Sequence, residues 1–251
     1  MAILTAHEMG HYLQARRYGV PASLPFFIPL PISPFGTMGA VIVQRSGVAT
    51  RKSMFDIAIS GPLAGLIFAL PIAYWGVVNS RKEELAPTAS SGIAFSSPLL
   101  LEWMMEVVHG PLPKGYVWDL NPMLFAGWVG FFITALNLIP IGQLDGGHIL
   151  YCLIGRKAHM VARALFAAGV TAVAYSFFFG DNSFISWSLM LFLIWMFGTR
   201  HPPTANDREP LSATRIVLGW LTLMFVFIGL TPVPIVEIKP KAQGPAVETA
   251  N

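Results

Sequence analysis

The chain has 251 residues, of which 54% are apolar and only 12% charged, half the roughly 25% charged content of a soluble domain. With a mean hydropathy of +0.60, this excludes a disordered chain, argues against an ordinary soluble enzyme and points to an all-α polytopic membrane protein. A net charge of +3 is too small to suggest nucleic acid, and the single cysteine, Cys152, excludes an internal disulfide or a cysteine-based metal cluster.

The first segment, Met1 to Arg17, reads as a helix of 17 residues. It lacks the basic start of a secretory signal, and His7 and Glu8 interrupt its first apolar run. Within it, His7-Glu8-Met9-Gly10-His11 is an H-E-x-x-H motif. Residues i and i+4 stand one turn apart on one helix face, so both imidazoles can reach one metal ion. Glu8 projects beside them, where a carboxylate can take a proton from water. Zinc lowers the pKa of a water it binds to about 7. Two interfacial histidines beside a solvated glutamate are the plain alternative, weakened by the apolar surroundings.

Gly19 to Lys52 follows, with prolines at 21, 25, 29, 31 and 34 that forbid a helix. Gly39 to Gln44 is rich in β-branched residues and reads as a strand. A small sheet dipping towards the bilayer and a surface hairpin packed on the helices both fit. Phe55–Val78 is the first long apolar block, and Asp56 lies at its entry. The polar connection Asn79–Asp119 contains an amphipathic stretch near Pro98–His109 that suits the membrane interface.

Further spans are expected at Leu120–Ile139, Met160–Phe179 and Ile216–Thr231, with a shorter one at Phe184–Gly198. Asp145–Ile154 reads as a short apolar helix. Counting Met1–Gln14, the chain makes about six crossings. Residues 1–235 then form one membrane-embedded core, with motifs in 1–160 and additional helices in 160–235. Residues 236–251 form a disordered polar tail. The Asn79–Asp119 loop is too short for a folded domain of about 100 residues, so no appended regulatory module is expected.

Connecting the spans in order places eleven basic residues on one side (Arg16, Arg17, Arg45, Arg51, Lys52, Arg156, Lys157, Arg163, Arg200, Arg208 and Arg215). Only Arg81, Lys82, Lys114, Lys239 and Lys241 fall on the other. The richer side faces the cytoplasm or an equivalent compartment such as stroma. The HEMGH motif precedes Arg16-Arg17, and Asp145 precedes Arg156-Lys157, so both lie at one depth near that side.

A catalytic zinc needs a third protein ligand and an open position. Asp56 is the one carboxylate between Tyr12 and Asn79, and it sits at the basic edge. Asp145 is the better candidate, in Asn137-Leu-Ile-Pro140-Ile-Gly-Gln-Leu144-Asp145-Gly-Gly-His148. Pro140 leaves the carbonyl of Leu136 unpaired in the helix ladder, and irregular backbone at that depth belongs against a cavity or buried in protein. Asp145, between this break and two glycines, is the carboxylate most in need of a cation.

HEMGH, Ser60-Gly-Pro-Leu-Ala-Gly65 and NLIPIGQLDGGH, in this order, resemble the site-2 protease family of intramembrane zinc metalloproteases. Phe26 to Pro29, Gly36 to Ile42 and Phe55 to Ala58 resemble its plastid-type branch and bacterial relatives. The resemblance implies His7, His11 and Asp145 as ligands of one zinc ion, with Glu8 as catalytic base. It also implies that Asn137 and Pro140 border the substrate channel. The strand at Gly39, Ala40, Val41 and Ile42 would pair with unwound substrate, a mode that backbone chemistry favours.

His148 is a rival ligand, ranked below Asp145 because a neutral imidazole is satisfied more cheaply than a carboxylate. His109, His159 and His201 read as interfacial or solvated, Gly61 and Gly65 as a helix-packing face, and Cys152 as a small buried hydrophobe. The implied activity is cleavage of peptide bonds within or beside transmembrane segments. Its partners are then a membrane-protein substrate, the bilayer and separate regulatory proteins, but no nucleic acid. The expected location is a bacterial cytoplasmic or plastid membrane, with the site towards the cytoplasm or stroma. A catalytically silent homologue acting as chaperone or scaffold has no need of Glu8. A zinc transporter would need a polar path to both faces.

Overall fold

Capping residues and proline set the helix limits, so the helices fall where the apolar blocks lie but with shifted ends. The computed structural model describes residues 1–29, 37–43, 47–84, 92–113, 115–180 and 183–238. Helix α1 (Ala2–Arg17) ends on Arg16 and Arg17, whose charges complement the negative end of the helix dipole. Helix α2 (Arg51–Val78) starts four residues before the expected block because the Thr50 hydroxyl accepts from Ser53 N–H.

After the short helix α3 (Leu99–His109), helix α4 (Pro122–Asn137) is capped by the Asn121 side chain, which accepts from Leu124 N–H at 2.9 Å. The Asn121 amide also donates to the Gly76 carbonyl at 2.8 Å, tying the end of α2 to the start of α4. Helix α4 stops at Asn137, three residues before Pro140. The Leu136 carbonyl is therefore not orphaned as expected: it accepts from Ile139 N–H at 3.2 Å in the turn that ends the helix.

Helix α5 (Asp145–Ile154) runs through a 3-10 turn (Gly155–Lys157) into α6 (Ala158–Phe179). Helices α7 (Ser188–Phe197) and α8 (Ala213–Gly229) complete the set among the described residues. Arg51–Val78 and the joined Asp145–Phe179 are long and apolar enough to cross a membrane, while Pro122–Asn137, Ile185–Phe197 and Ala213–Gly229 are shorter apolar helices. Phe177 and Phe178 on α6, Trp195 on α7 and Phe227 on α8 are all exposed. Apolar surface this extensive suits lipid rather than water.

Three two-stranded antiparallel sheets accompany the helices among the described residues, where one was expected. Strands β1 (Phe26–Pro29) and β2 (Thr37–Val41) pair Phe27 with Ala40 and Ile28 with Gly39. This is the anticipated sheet after the first helix, with its second strand starting two residues earlier and ending at Val41; Gln44 lies outside the described residues. Strands β3 (Lys82–Glu84) and β5 (Tyr116–Trp118) pair within the α2–α4 connection. Strand β4 (Gly92–Phe95) pairs with β6 (Ile235–Ile238). The expected tail therefore begins too early: Val236 to Ile238 belong to a sheet, because β4 supplies backbone partners that the local sequence does not reveal. Residues 239–251 of that tail lie outside the described residues.

Helix α2 is the centre of the core and packs on α1, α4 and α5. Small residues let it do so. A Cβ on Gly76 would stand 2.3 Å from Leu124 N, and one on Gly127 would stand 2.5 Å from the Ala73 backbone, so α2 and α4 meet nearly backbone to backbone.

Candidate metal centre

Helix geometry brings His7 and His11 to one face of α1, as their spacing predicts, and both are buried. That face turns towards α2, where Gly61 and Gly65 make room. A Cβ on Gly61 would lie 2.0 Å from His11 Nε2, and one on Gly65 would lie 3.4 Å from His7 Cβ and Nδ1. In return, a Cβ on Gly10 of α1 would lie 2.5 Å from the Ser60 carbonyl oxygen. The small face on α2 is thus a packing face, as expected, and what it packs is the histidine pair itself.

The His11 ring is fixed from behind. Its Nδ1 lies 2.7 Å from the Ile57 carbonyl, which can only accept, so Nδ1 carries the hydrogen. In the neutral ring Nε2 then carries the lone pair, and it stands 3.2 Å from both His7 Nε2 and an Asp145 oxygen.

Asp145 reaches this pair from the first residue of α5. The Leu138–Leu144 turn and α5 approach closely because Gly146 and Gly147 have no side chains. A Cβ on Gly146 would meet the Leu138 carbonyl at 1.9 Å, and one on Gly147 would meet the Gly142 carbonyl at 2.4 Å. Asp145 Oδ2 stands 3.0 Å from His7 Nε2 and 3.2 Å from His11 Nε2, and the two Nε2 atoms are 3.2 Å apart.

These three atoms fit a metal ion. Ligands about 2.0–2.1 Å from a tetrahedral zinc stand about 3.3–3.4 Å from one another, close to all three observed edges. His7, His11 and Asp145 are the one such group of metal-binding residue types found among the described residues. Glu8 is 8% exposed, next in sequence to His7 and within electrostatic range of His11 and Asp145. Asn137, at the end of α4, directs its Nδ2 to within 3.5 Å of His7 Nε2. Pro140 lies half-buried in the following turn. Of the expected strand residues, Gly39, Ala40 and Val41 belong to β2 and Ile42 follows it.

Asp56, weighed as a ligand, has a structural task. Arg215 donates to both of its oxygens at 2.8 Å, and the Tyr18 hydroxyl donates to it as well. Cys152 is fully buried, as expected. His109 donates to the Val77 carbonyl at 2.7 Å, and its ring lies 5.0 Å from that of Trp118 at a tilt.

His201, read as interfacial or solvated, is instead buried in protein. It is 5% exposed, its Nε2 lies 2.5 Å from His148 Nδ1, and its ring stacks on Tyr151. No local sign of this is present in the sequence, because the partners come from a helix about fifty residues upstream. His148, the rival ligand, turns its Nδ1 to His201 and does not join the three-atom cluster.

Comparison with known proteins agrees with this geometry. Residues 1–180 match peptidase family M50. The chain is 29% identical over 235 residues to "Probable zinc metalloprotease EGY2, chloroplastic" of Arabidopsis thaliana, covering 92% of this chain and 40% of that protein. It is 30% identical over 243 residues to "Probable zinc metalloprotease EGY1, chloroplastic" of Oryza sativa subsp. japonica, covering 92% and 39%. To "Probable zinc metallopeptidase EGY3, chloroplastic" of Arabidopsis thaliana it is 25% identical over 250 residues, covering 92% and 41%. The chain spans about two fifths of the length of these relatives. The family that the three motifs resemble is therefore the one to which the chain belongs: peptidase family M50, the site-2 proteases.

Proposed function

We propose that this chain is a zinc-dependent intramembrane endopeptidase that hydrolyses peptide bonds within or beside transmembrane segments of other proteins. The observation that carries this reading is the convergence of His7 Nε2, His11 Nε2 and Asp145 Oδ2 to within 3.2 Å, with Glu8 buried beside them. His7, His11 and Asp145 would hold one zinc ion per chain, and zinc would supply Lewis-acid polarisation of a carbonyl and a lowered pKa for water.

The chain's own residues do the rest. A Glu8 carboxylate oxygen accepts a proton from the attacking water as oxygen bonds to the scissile carbonyl carbon. The same carboxyl then gives that proton to the departing amine nitrogen as the C–N bond breaks. The Asn137 amide, beside His7, can donate to the carbonyl oxygen as it gains negative charge. A helical substrate hides its peptide bonds and must be unwound first. Pairing along Gly39, Ala40, Val41 and Ile42, with Asn137 and Pro140 bordering the entry, would stabilise the extended form.

The same reading makes α1, α2, α4, α6, α7 and α8 six crossings of one core. It puts the site near the side rich in arginine and lysine, facing cytoplasm or stroma. Substrate choice then depends on the bilayer core, the short loops and separate partners. To test the activity, the purified protein is analysed for bound zinc and incubated with a labelled single-span substrate in liposomes. Cleavage by the parent protein, with zinc retained and cleavage lost in Glu8→Gln, supports the assignment. Undiminished cleavage by Glu8→Gln refutes the mechanism, and zinc flux without cleavage favours transport.

A further inference from the structure

Asp145 stands at the first position of α5, where a helix end frays unless something holds it. The segment Gly198–His201, which follows α7 and lies beyond the residues that match the family, holds it from two sides. Before Asp145, the turn at Gly142 has φ +59°, and a Cβ there would stand 2.6 Å from the Gly198 carbonyl oxygen. After Asp145 by one helical turn, His148 Nδ1 meets His201 Nε2 at 2.5 Å.

His201 is itself over-determined. Its Nδ1 lies 2.5 Å from the Pro202 carbonyl, which can only accept, so Nδ1–H is the donor and Nε2 of the neutral ring is left to accept from His148 Nδ1–H. Its ring lies 4.3 Å from that of Tyr151, nearly parallel. The Tyr151 hydroxyl donates to Asp207 at 2.8 Å, and the other Asp207 oxygen accepts from the Thr204 hydroxyl at 2.7 Å. The loop that carries His201 is thus fastened to α5 at two residues, His148 and Tyr151.

We propose that His201 is a positioning residue for Asp145: through His148 it fixes the first turn of α5, and so the direction in which the carboxylate meets His7 and His11. The inference rests on the reading of Asp145 as a metal ligand. Residues that hydrogen-bond a metal ligand directly typically change metal affinity about 10–100-fold when removed; His201 acts one residue further out, so the lower end of that range is expected.

The test measures zinc affinity of the full chain in detergent by competition with a chromogenic chelator, together with the thermal midpoint of the zinc-free protein. His201→Phe keeps a flat ring against Tyr151 and removes the acceptor; His201→Gln keeps a polar atom near the place of Nε2. The expected result is a loss of zinc affinity of about tenfold or more in His201→Phe, recovered largely in His201→Gln, with the zinc-free midpoint little changed in either. Unchanged affinity in His201→Phe overturns the inference. So does a loss matched by an equally large fall in the zinc-free midpoint, which would mark His201 as merely structural. If His201→Phe does not accumulate, His148→Gln is measured under the same criteria. Asp145→Ala separates the two readings. Unchanged affinity there refutes the ligand assignment itself, whereas a loss there beside an unaffected His201→Phe refutes only the positioning role.

Discussion

Gly61→Ala tests whether α2 is the wall against which the metal site is built. The new methyl would start 2.0 Å from His11 Nε2 and 2.4 Å from both Cδ2 and Cε1, far inside van der Waals contact. The ring cannot yield freely, because its Nδ1–H is bonded to the Ile57 carbonyl at 2.7 Å on the same helix. Either His11 swings away and gives up that bond, worth about 0.5–1.5 kcal/mol, or α1 and α2 separate, with an overpacking cost of about 1–3 kcal/mol. Alanine would return up to about 1 kcal/mol of helix propensity, so the change in global stability is modest. The loss falls on the ligand. A displaced Nε2 should lower zinc affinity about 10–100-fold, about 1.4–2.7 kcal/mol.

Gly65→Ala is the control, since its methyl meets His7 at 3.4 Å, an ordinary contact distance. Chelator competition and zinc-free thermal unfolding of both variants decide the matter. Zinc affinity of Gly61→Ala equal to that of the parent, or a larger loss in Gly65→Ala, would refute the reasoning.

Asp56→Ala strips Arg215 and Tyr18 of a shared acceptor and should cost about 3 kcal/mol of stability without changing zinc content; lost zinc at unchanged stability would make Asp56 part of the site. Adding zinc at a hundred times its dissociation constant should stabilise the folded protein by about 2.7 kcal/mol, and His7→Ala should abolish that midpoint shift in differential scanning fluorimetry. Burial, and then the neighbouring His148, push His201 down from 6.5 to about 3, so the folded protein keeps this ring neutral while the unfolded chain protonates it. The resulting stability is whole above pH 6.5 and falls by about 1.4 kcal/mol per unit as pH drops below that. Tryptophan-monitored unfolding of zinc-free protein between pH 7.5 and 5 should show this slope, and His201→Gln should flatten it.

The parts of the site that local rules govern were legible in the sequence. His7 and His11 follow from helical spacing alone; Asp145 follows from its place between the Pro140 segment and two glycines together with the family resemblance, although α4 ends at Asn137 without the expected orphaned Leu136 carbonyl. Gly61 and Gly65 could be read as a small face, but their burden, two imidazoles from α1, is a tertiary fact. His201 was illegible for the same reason: in a polar, proline-containing loop it looks solvated, and only the fold brings it to His148 and Tyr151. Strands β3 to β6 have three or four residues each. That is too short for an alternation to show, and β4 finds its partner only near the far end of the chain.

Asp56 and Asp145 both lie in apolar helices, and the molecule resolves them differently. Asp56 receives a guanidinium and a hydroxyl, both donors, so its charge is compensated by the protein alone. Asp145 faces two imidazole nitrogens, and the one on His11 presents a lone pair because its other nitrogen is committed to Ile57. Where all three offer lone pairs, as they would to a metal, atoms within 3.2 Å of one another repel unless something positive stands between them. One proton can relieve a single edge of that triangle; a divalent cation relieves all three. The fold makes room for the arrangement with glycines on α2 and bonds the loop that carries His201 to the helix that carries Asp145. It thus holds together a group of atoms that would otherwise separate, and holds it at the spacing a tetrahedral ion requires.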